Sequence, residues 1–240
     1  MPTSLIRERW EQPGRDRLAT YHAILLKQLT HEGFSGPDNI GAFDAPIGEG
    51  DDLYVAVNVS VTGNHDVSGA WHIGDRAVAR ALESAAELVG RDVQQRVLAT
   101  GRLRPDDSRE TWSVGITSAN APSVAHEVAE AIVHFRDSMR PFGTRAVLAD
   151  RLEHLMTENP QRLPLGAWHF SGPVFFALSG RREAADAVVA TRLNDLESAR
   201  RTVAVERYRR FVTWFDGFAS VALARSADHE AVAVGRIVAN

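Results

Sequence analysis

The chain has 240 residues, 44% hydrophobic and 24% charged, with a formal charge of −4 and no cysteine. These values suit a globular domain with its own core, and they exclude disulfides, thiolate metal sites and cysteine nucleophiles. The charge balance supplies no overall field for nucleic acid or an anionic membrane, and no run of about 18 apolar residues marks a membrane span.

Only Lys27 among the 27 basic residues is lysine; the rest are arginine. Residues 1–17 lack the apolar core of a secretory signal, so the expected location is cytoplasmic. A short helix is expected over residues 4–12, ended by Pro13-Gly14. From Arg15 to Glu32, Leu18, Tyr21, Leu25, Leu26 and Leu29 recur at three- and four-residue spacing, the signature of an amphipathic helix. Gly33 stands where a C-terminal cap belongs. Residues 34–50 are rich in Gly, Pro and Asp and hold at most a short strand near Ile40–Phe43.

Asp51 to Thr62 alternates cleanly. Leu53, Val55, Val57, Val59 and Val61 fall on one side, with Tyr54, Ala56, Asn58, Ser60 and Thr62 on the other. That is a period-2 strand with one face committed to a core. A polar turn, Gly63-Asn64-His65-Asp66, follows, and the stretch through Trp71 and His72 reads as loop. Asp75 is the expected N-cap of a helix over Arg76–Val89. Residues 96–103 read as a strand in preference to a helix. Trp112, Val114 and Ile116 alternate within Thr111–Thr117, a second half-buried strand and the expected neighbour of the first.

Helices then dominate. Ser123 is the expected cap of a helix to Met139, and Pro141-Phe142-Gly143 ends it. A helix over Thr144–Thr157 is expected to bury Val147, Leu148, Leu152, Leu155 and Met156. Pro160, Pro164 and Gly166 set a boundary, after which Pro173 begins a helix over 173–179. Further helices are expected over 182–196 and Ser198–Ala224, the last burying Val203, Phe211, Trp214, Phe215, Phe218 and Val221. The tail contains an Ala-Val run, Ala231–Val234, that suits an edge strand or a mobile end.

Several constellations invite chemistry. Gly63-Asn-His-Asp66 resembles the Gly-Asn-His-Asp/Glu box with which calcineurin-like metallophosphoesterases bind metal and phosphate. Those proteins also carry an Asp-x-His and a Gly-Asp box upstream; here no Asp-x-His precedes, and Gly74-Asp75 follows, so membership is excluded. His65, Asp66, His72 and Asp75 are competent ligands for Zn, Fe or Mn. Turn and cap chemistry explains the same residues. His126-Glu127 lacks the second histidine of His-Glu-x-x-His, since Glu130 stands there. His126, Glu130 and His134 share a helix face that reads as solvated. Arg200, Arg201, Arg207, Arg209 and Arg210 with Tyr208 and Trp214 read as a core helix with a basic outer side; nucleic acid is not the expected partner. Leu178 to Ala185 is similar to the turn of a tetratricopeptide-type repeat, without the 34-residue period, and reads as one αα-hairpin. No nucleotide-binding glycine loop or Gly-x-Ser-x-Gly elbow occurs.

The expected fold is α+β: a small, mainly antiparallel sheet covered by helices over residues 1–158, a helical part over 173–225, and a tail over 226–240. The helix ending in Gly33-Phe34, the strand at 53–61, Trp112 and the helices after Ser123 together resemble small bacterial α+β proteins of uncharacterised-domain and toxin-immunity type. That resemblance implies a non-enzymatic binding or interaction protein, immunity-like or regulatory, with no cofactor. Its partner would be another protein or a small ligand, with no membrane involved; self-association through a sheet edge or the aromatic last helix is compatible. The alternative is a metal-dependent hydrolase using the His65–Asp75 loop. Expected binding residues are His65, Asp66, Trp71 and His72, then Trp168 and His169, because loops on a rigid scaffold carry function and Trp favours contacts.

Overall fold

The computed structural model describes residues 17–38, 41–48, 50, 52–61, 66–89, 97–104, 111–112, 116–117, 119–158, 163 and 168–238. The helix expected over 4–12, the turn residues 63–65 and Val114 lie outside the described residues. The fold is α+β, with a four-stranded antiparallel sheet and a helical C-terminal portion. The chain divides into two compact units, residues 1–73 with 100–143 and residues 74–99 with 144–240.

In the first unit, α1 (Arg17–His31) precedes β1 (Ala42–Pro46), β2 (Leu53–Val61) and β3 (Val67–Asp75), and the strand order is β1-β2-β3-β4 with β4 at Val97–Leu103. The unit divisions fall inside β3 and β4. Strand β1 pairs with β2 in antiparallel register, Phe43 opposite Val57 and Asp44 opposite Ala56. Helix α1 stops as expected: Gly33 takes φ +83°, and Phe34 N–H bonds the Leu29 carbonyl at 2.9 Å, a glycine-dependent C-cap. Helix α3 (Ala121–Met139) packs along α1 and lies on β2. Tyr21, Leu25 and Leu29 from α1, Val55 and Val57 from β2, and Ala125, Val128 and Ile132 from α3 are all buried.

Three expectations change here. Residues 67–75, read as loop, form β3, with Val67, Gly69 and Ile73 buried on one side. Glycine hides the alternation for a packing reason: a Cβ on Gly69 would meet the Leu103 Cβ at 2.9 Å, and one on Gly101 would meet the Trp71 ring at 2.5 Å. The neighbours of β2 are β1 and β3, and Trp112 instead bridges Val67, its N–H bonding the Val67 carbonyl at 2.9 Å. Strand β2 is also buried on both faces over its first half, Tyr54 and Ala56 included. Finally, α3 begins at Ala121 with Asn120 as N-cap; Ser123 Oγ donates back to the Asn120 carbonyl at 2.9 Å.

The second unit contains α2 (Arg76–Val89), α4 (Arg145–Glu158), α5 (Trp168–Leu178), α6 (Arg182–Ser198) and α7 (Thr202–Val238). Helix α5 packs on α6 and α7, and α2 packs on α5 and α7. The expected αα-hairpin is present: Gly180 at φ +73° lets Arg181 N–H reach the Phe176 carbonyl at 2.8 Å. The core is aromatic, with Phe175, Phe176, Tyr208, Phe211 and Phe215 buried.

Helix α5 starts five residues before Pro173, which sits inside it. Proline has no N–H, so the carbonyl four residues back, that of His169, loses its helical donor. Tyr208 supplies the replacement, its hydroxyl donating to the His169 carbonyl at 2.8 Å. Helix α7 continues to Val238 instead of ending at Ala224, consistent with the alanine-rich segment. Val147, Val203 and Val221, expected inside, are exposed, because the buried stripes pass through Leu148–Leu152 and through Val205, Phe211, Phe215 and Ala219. No described helix is long and apolar enough to cross a membrane.

Candidate functional site

The residues singled out by the sequence are distributed. His65 lies outside the described residues, and Asp66 is a half-buried residue immediately before β3. Trp71 and His72 are consecutive in β3 and so point to opposite faces. Trp71 stacks on Phe135 of α3, ring centroids 4.8 Å apart. His72 sits edge-on to Tyr54 at 6.2 Å; burial pushes its pKa down, opposed by the negative fields of Asp38 and Asp44. Its imidazole is therefore held neutral more firmly than a free one.

Asp75 is 0% exposed and fully committed. Its Oδ1 accepts from Ala77 N–H at 2.7 Å and Val78 N–H at 3.2 Å, the expected cap of α2. Arg145 closes on both oxygens, Nε to Oδ2 at 2.6 Å and Nη2 to Oδ1 at 3.1 Å. His72 and Asp75, an odd number of residues apart on one strand, face away from each other. Among the described residues, no group of three His, Asp or Glu side chains could hold a metal ion.

Trp168 and His169 open α5 in the second unit. Trp168 is buried edge-on to Phe176 at 5.8 Å, and a Cβ on Gly172 would meet its ring at 2.9 Å. His169 Nδ1 is buried without a hydrogen-bond partner. Burial, with Arg192 second and Asp195 opposing, pushes its pKa down to about 4.

One concave surface in the first unit went unread in the sequence. Helices α1 and α3 flank an open groove of about 960 Å³. Ile24 from α1 with Ala129 and Val133 from α3 give it apolar lining, while Lys27, Gln28, His31, Glu32, His126, Glu130, His134 and Asp137 give it polar lining. Gln28 ties the helices together, Nε2 to His126 Nδ1 at 2.9 Å, while its Oε1 is buried with no donor. His126 Nε2 meets Glu130 at 3.1 Å. At the far end, Arg136 lies under the Phe34 ring at 5.3 Å and donates to the Glu32 carbonyl. It also pairs with Asp137 at 2.8 Å. Burial works against the Asp137 charge, but Arg136 and Arg140 hold its carboxyl below the usual carboxylate range. A second hollow of about 450 Å³ adjoins Arg136 and Arg140 beside Ile47 and Gly48.

The face carrying His126, Glu130 and His134 is thus solvated, as expected, yet it forms one wall of this groove. Interhelical pairing itself has no local sequence mark. No family model matches the chain, and neither a curated protein nor a solved structure is similar to it at a significant level.

Proposed function

We propose that the chain is a non-enzymatic binding protein of a reducing, cytoplasmic compartment, taking its ligand in the groove between α1 and α3. The observation that carries this is the groove: open and concave, about 960 Å³, with Ile24, Ala129 and Val133 set among polar side chains from both helices. Small-molecule sites span roughly 300–1,000 Å³, and that match in volume favours a small ligand over the protein partner that an immunity-like role implies. The lack of cysteine fits the compartment.

Screening a mixed fragment library against the full chain by ligand-observed NMR tests the reading, with Val133→Trp as a groove-filling control. Hits on the parent chain that vanish with Val133→Trp are expected. Hits that persist unchanged, or none at all, refute it.

A further inference from the structure

Helix α7 is longer than anything it packs against. At 1.5 Å per residue its 37 residues run about 55 Å, whereas α6, the longest of its neighbours in the second unit, has 17 residues and runs about 25 Å. Its buried side passes through Phe211, Phe215, Ala219 and Ala222. The other side is apolar where water favours polar groups. Val203 is 80% exposed and Val221 54%, two of the three large hydrophobic side chains that the described residues leave exposed. Between them Trp214 is half-buried, its ring stacked on Phe218 at 5.2 Å, and Gly217 is bare, a Cβ there meeting nothing within 4 Å. All four positions belong to one row that runs from 203 to 235 in alternating four- and three-residue steps. That is the 3.5-residue repeat of a helix that packs lengthwise on another helix.

The row is complementary to its own reverse. Turned about the level of Ala219, it sets Gly217 against Val221, Trp214 against Ala224, Arg210 against Asp228 and Val203 against Gly235, large on small and cation on anion. Arg207 falls against Ala231 and is neutral to the pairing. We propose that this face of α7 is the interface between two copies of the chain, packed antiparallel about a two-fold axis level with Ala219. A two-fold makes each pairing occur twice, so every bulky residue of one copy has a small residue of the other to lie over. Parallel pairing would instead set Trp214 against Trp214 and Asp228 against Asp228, bulk on bulk and like charge on like. Within one chain, positions 210 and 228 stand about 27 Å apart along the helix, so their charges reach each other only between copies. The interface belongs to the second unit and does not depend on the α1–α3 groove.

Sedimentation equilibrium of the full chain at about 100 μM should give twice the chain's 26.3 kDa and fall towards that mass on dilution. Val221→Asp puts a charge at a position already open to water in the single chain, so it should yield monomer alone with the helical circular dichroism kept. Arg210→Asp and Asp228→Arg, made singly, each turn two opposite-charge contacts into two like-charge ones and should weaken the dimer about tenfold. Made together they restore opposite charges across the axis, and the parent affinity should return. A chain that is monomeric at every concentration, or a dimer indifferent to Val221→Asp, overturns the interface. Single swaps without effect, or a double swap that recovers nothing, overturn the antiparallel pairing about Ala219.

Discussion

Asp75 separates a structural carboxylate from a metal-ligating one, and its substitution has a computable cost. The Asp75→Ala variant removes two acceptors from the first turn of α2, bonded to Ala77 and Val78, and the partner of Arg145. Loss of an Asp cap costs about 1 kcal/mol. Hydrogen bonds to a charged group add about 1.5–3 kcal/mol, reduced here because the Arg145 side chain is 30% exposed and recovers water. The expected total is about 3 kcal/mol, or roughly 6–12 °C in Tm for a domain of this size. Asp75→Asn keeps a good cap and loses only the ion pair, so about 1–2 kcal/mol is expected. Thermal and urea melts of both variants, with Arg145→Met closing a double-mutant cycle, measure the terms separately. Equal losses for Asn and Ala would refute the capping term. A gain in stability for Asp75→Asn, the sign of a carboxylate held uncompensated for a metal, would refute the structural assignment altogether.

Tyr208→Phe leaves the His169 carbonyl, already deprived of a helical donor by Pro173, without a partner in the core; a loss of about 1–3 kcal/mol by chemical denaturation is expected, and a neutral result would show the hydroxyl is dispensable. Gly48→Ala would drive a Cβ into the Gly143 carbonyl, backbone against backbone, and should cost at least about 3 kcal/mol, read as a drop in Tm. His169 has a folded pKa near 4 against about 6.5 unfolded, so the unfolded chain takes up the proton first and stability falls as pH drops from about 6.5 towards 4. Allowing for the solvent that screens a half-buried ring, this contributes about 2 kcal/mol. His169→Gln should flatten that part of the stability profile, and an unchanged slope would assign the acid sensitivity to other groups.

Local chemistry was legible wherever one signal dominated. Valine alternation marked β2, Asp75 marked the start of α2, and Gly33 marked a cap that needs left-handed backbone. Strand β3 was hidden because Gly69, His72 and Gly74 carry loop signals, while the demand for Gly69 comes from Leu103 and Trp112, both distant in sequence. The start of α5 was hidden because Pro173 reads as a helix opener; it is tolerated inside because Tyr208, thirty-five residues on, satisfies the carbonyl it orphans. Residues chosen for their chemistry, His72, Asp75, Trp168 and His169, were identified by type, and type does not reveal whether a group is already engaged. The α1–α3 groove could not be read at all, since it exists only once two helices pack.

Gln28 is where stability and binding part company. Its Nε2 holds His126 across the groove, yet its Oε1 is buried without a donor, a cost of about 1–3 kcal/mol unless a ligand supplies one. A fold under selection for stability alone has little reason to keep that oxygen. Replacing it by an apolar group of similar length removes the unpaired acceptor and retains the contact with the apolar strip. Gln28→Met should therefore raise stability by about 1 kcal/mol, the opposite of most half-buried substitutions, and at the same time weaken any groove ligand that donates to the oxygen. A melt and a titration on the same preparation measure both. A destabilised variant that binds normally would mean that the Gln28–His126 bond is structural and the oxygen incidental. Gain of stability with loss of binding would locate function in the polar atom that the fold leaves unpaired.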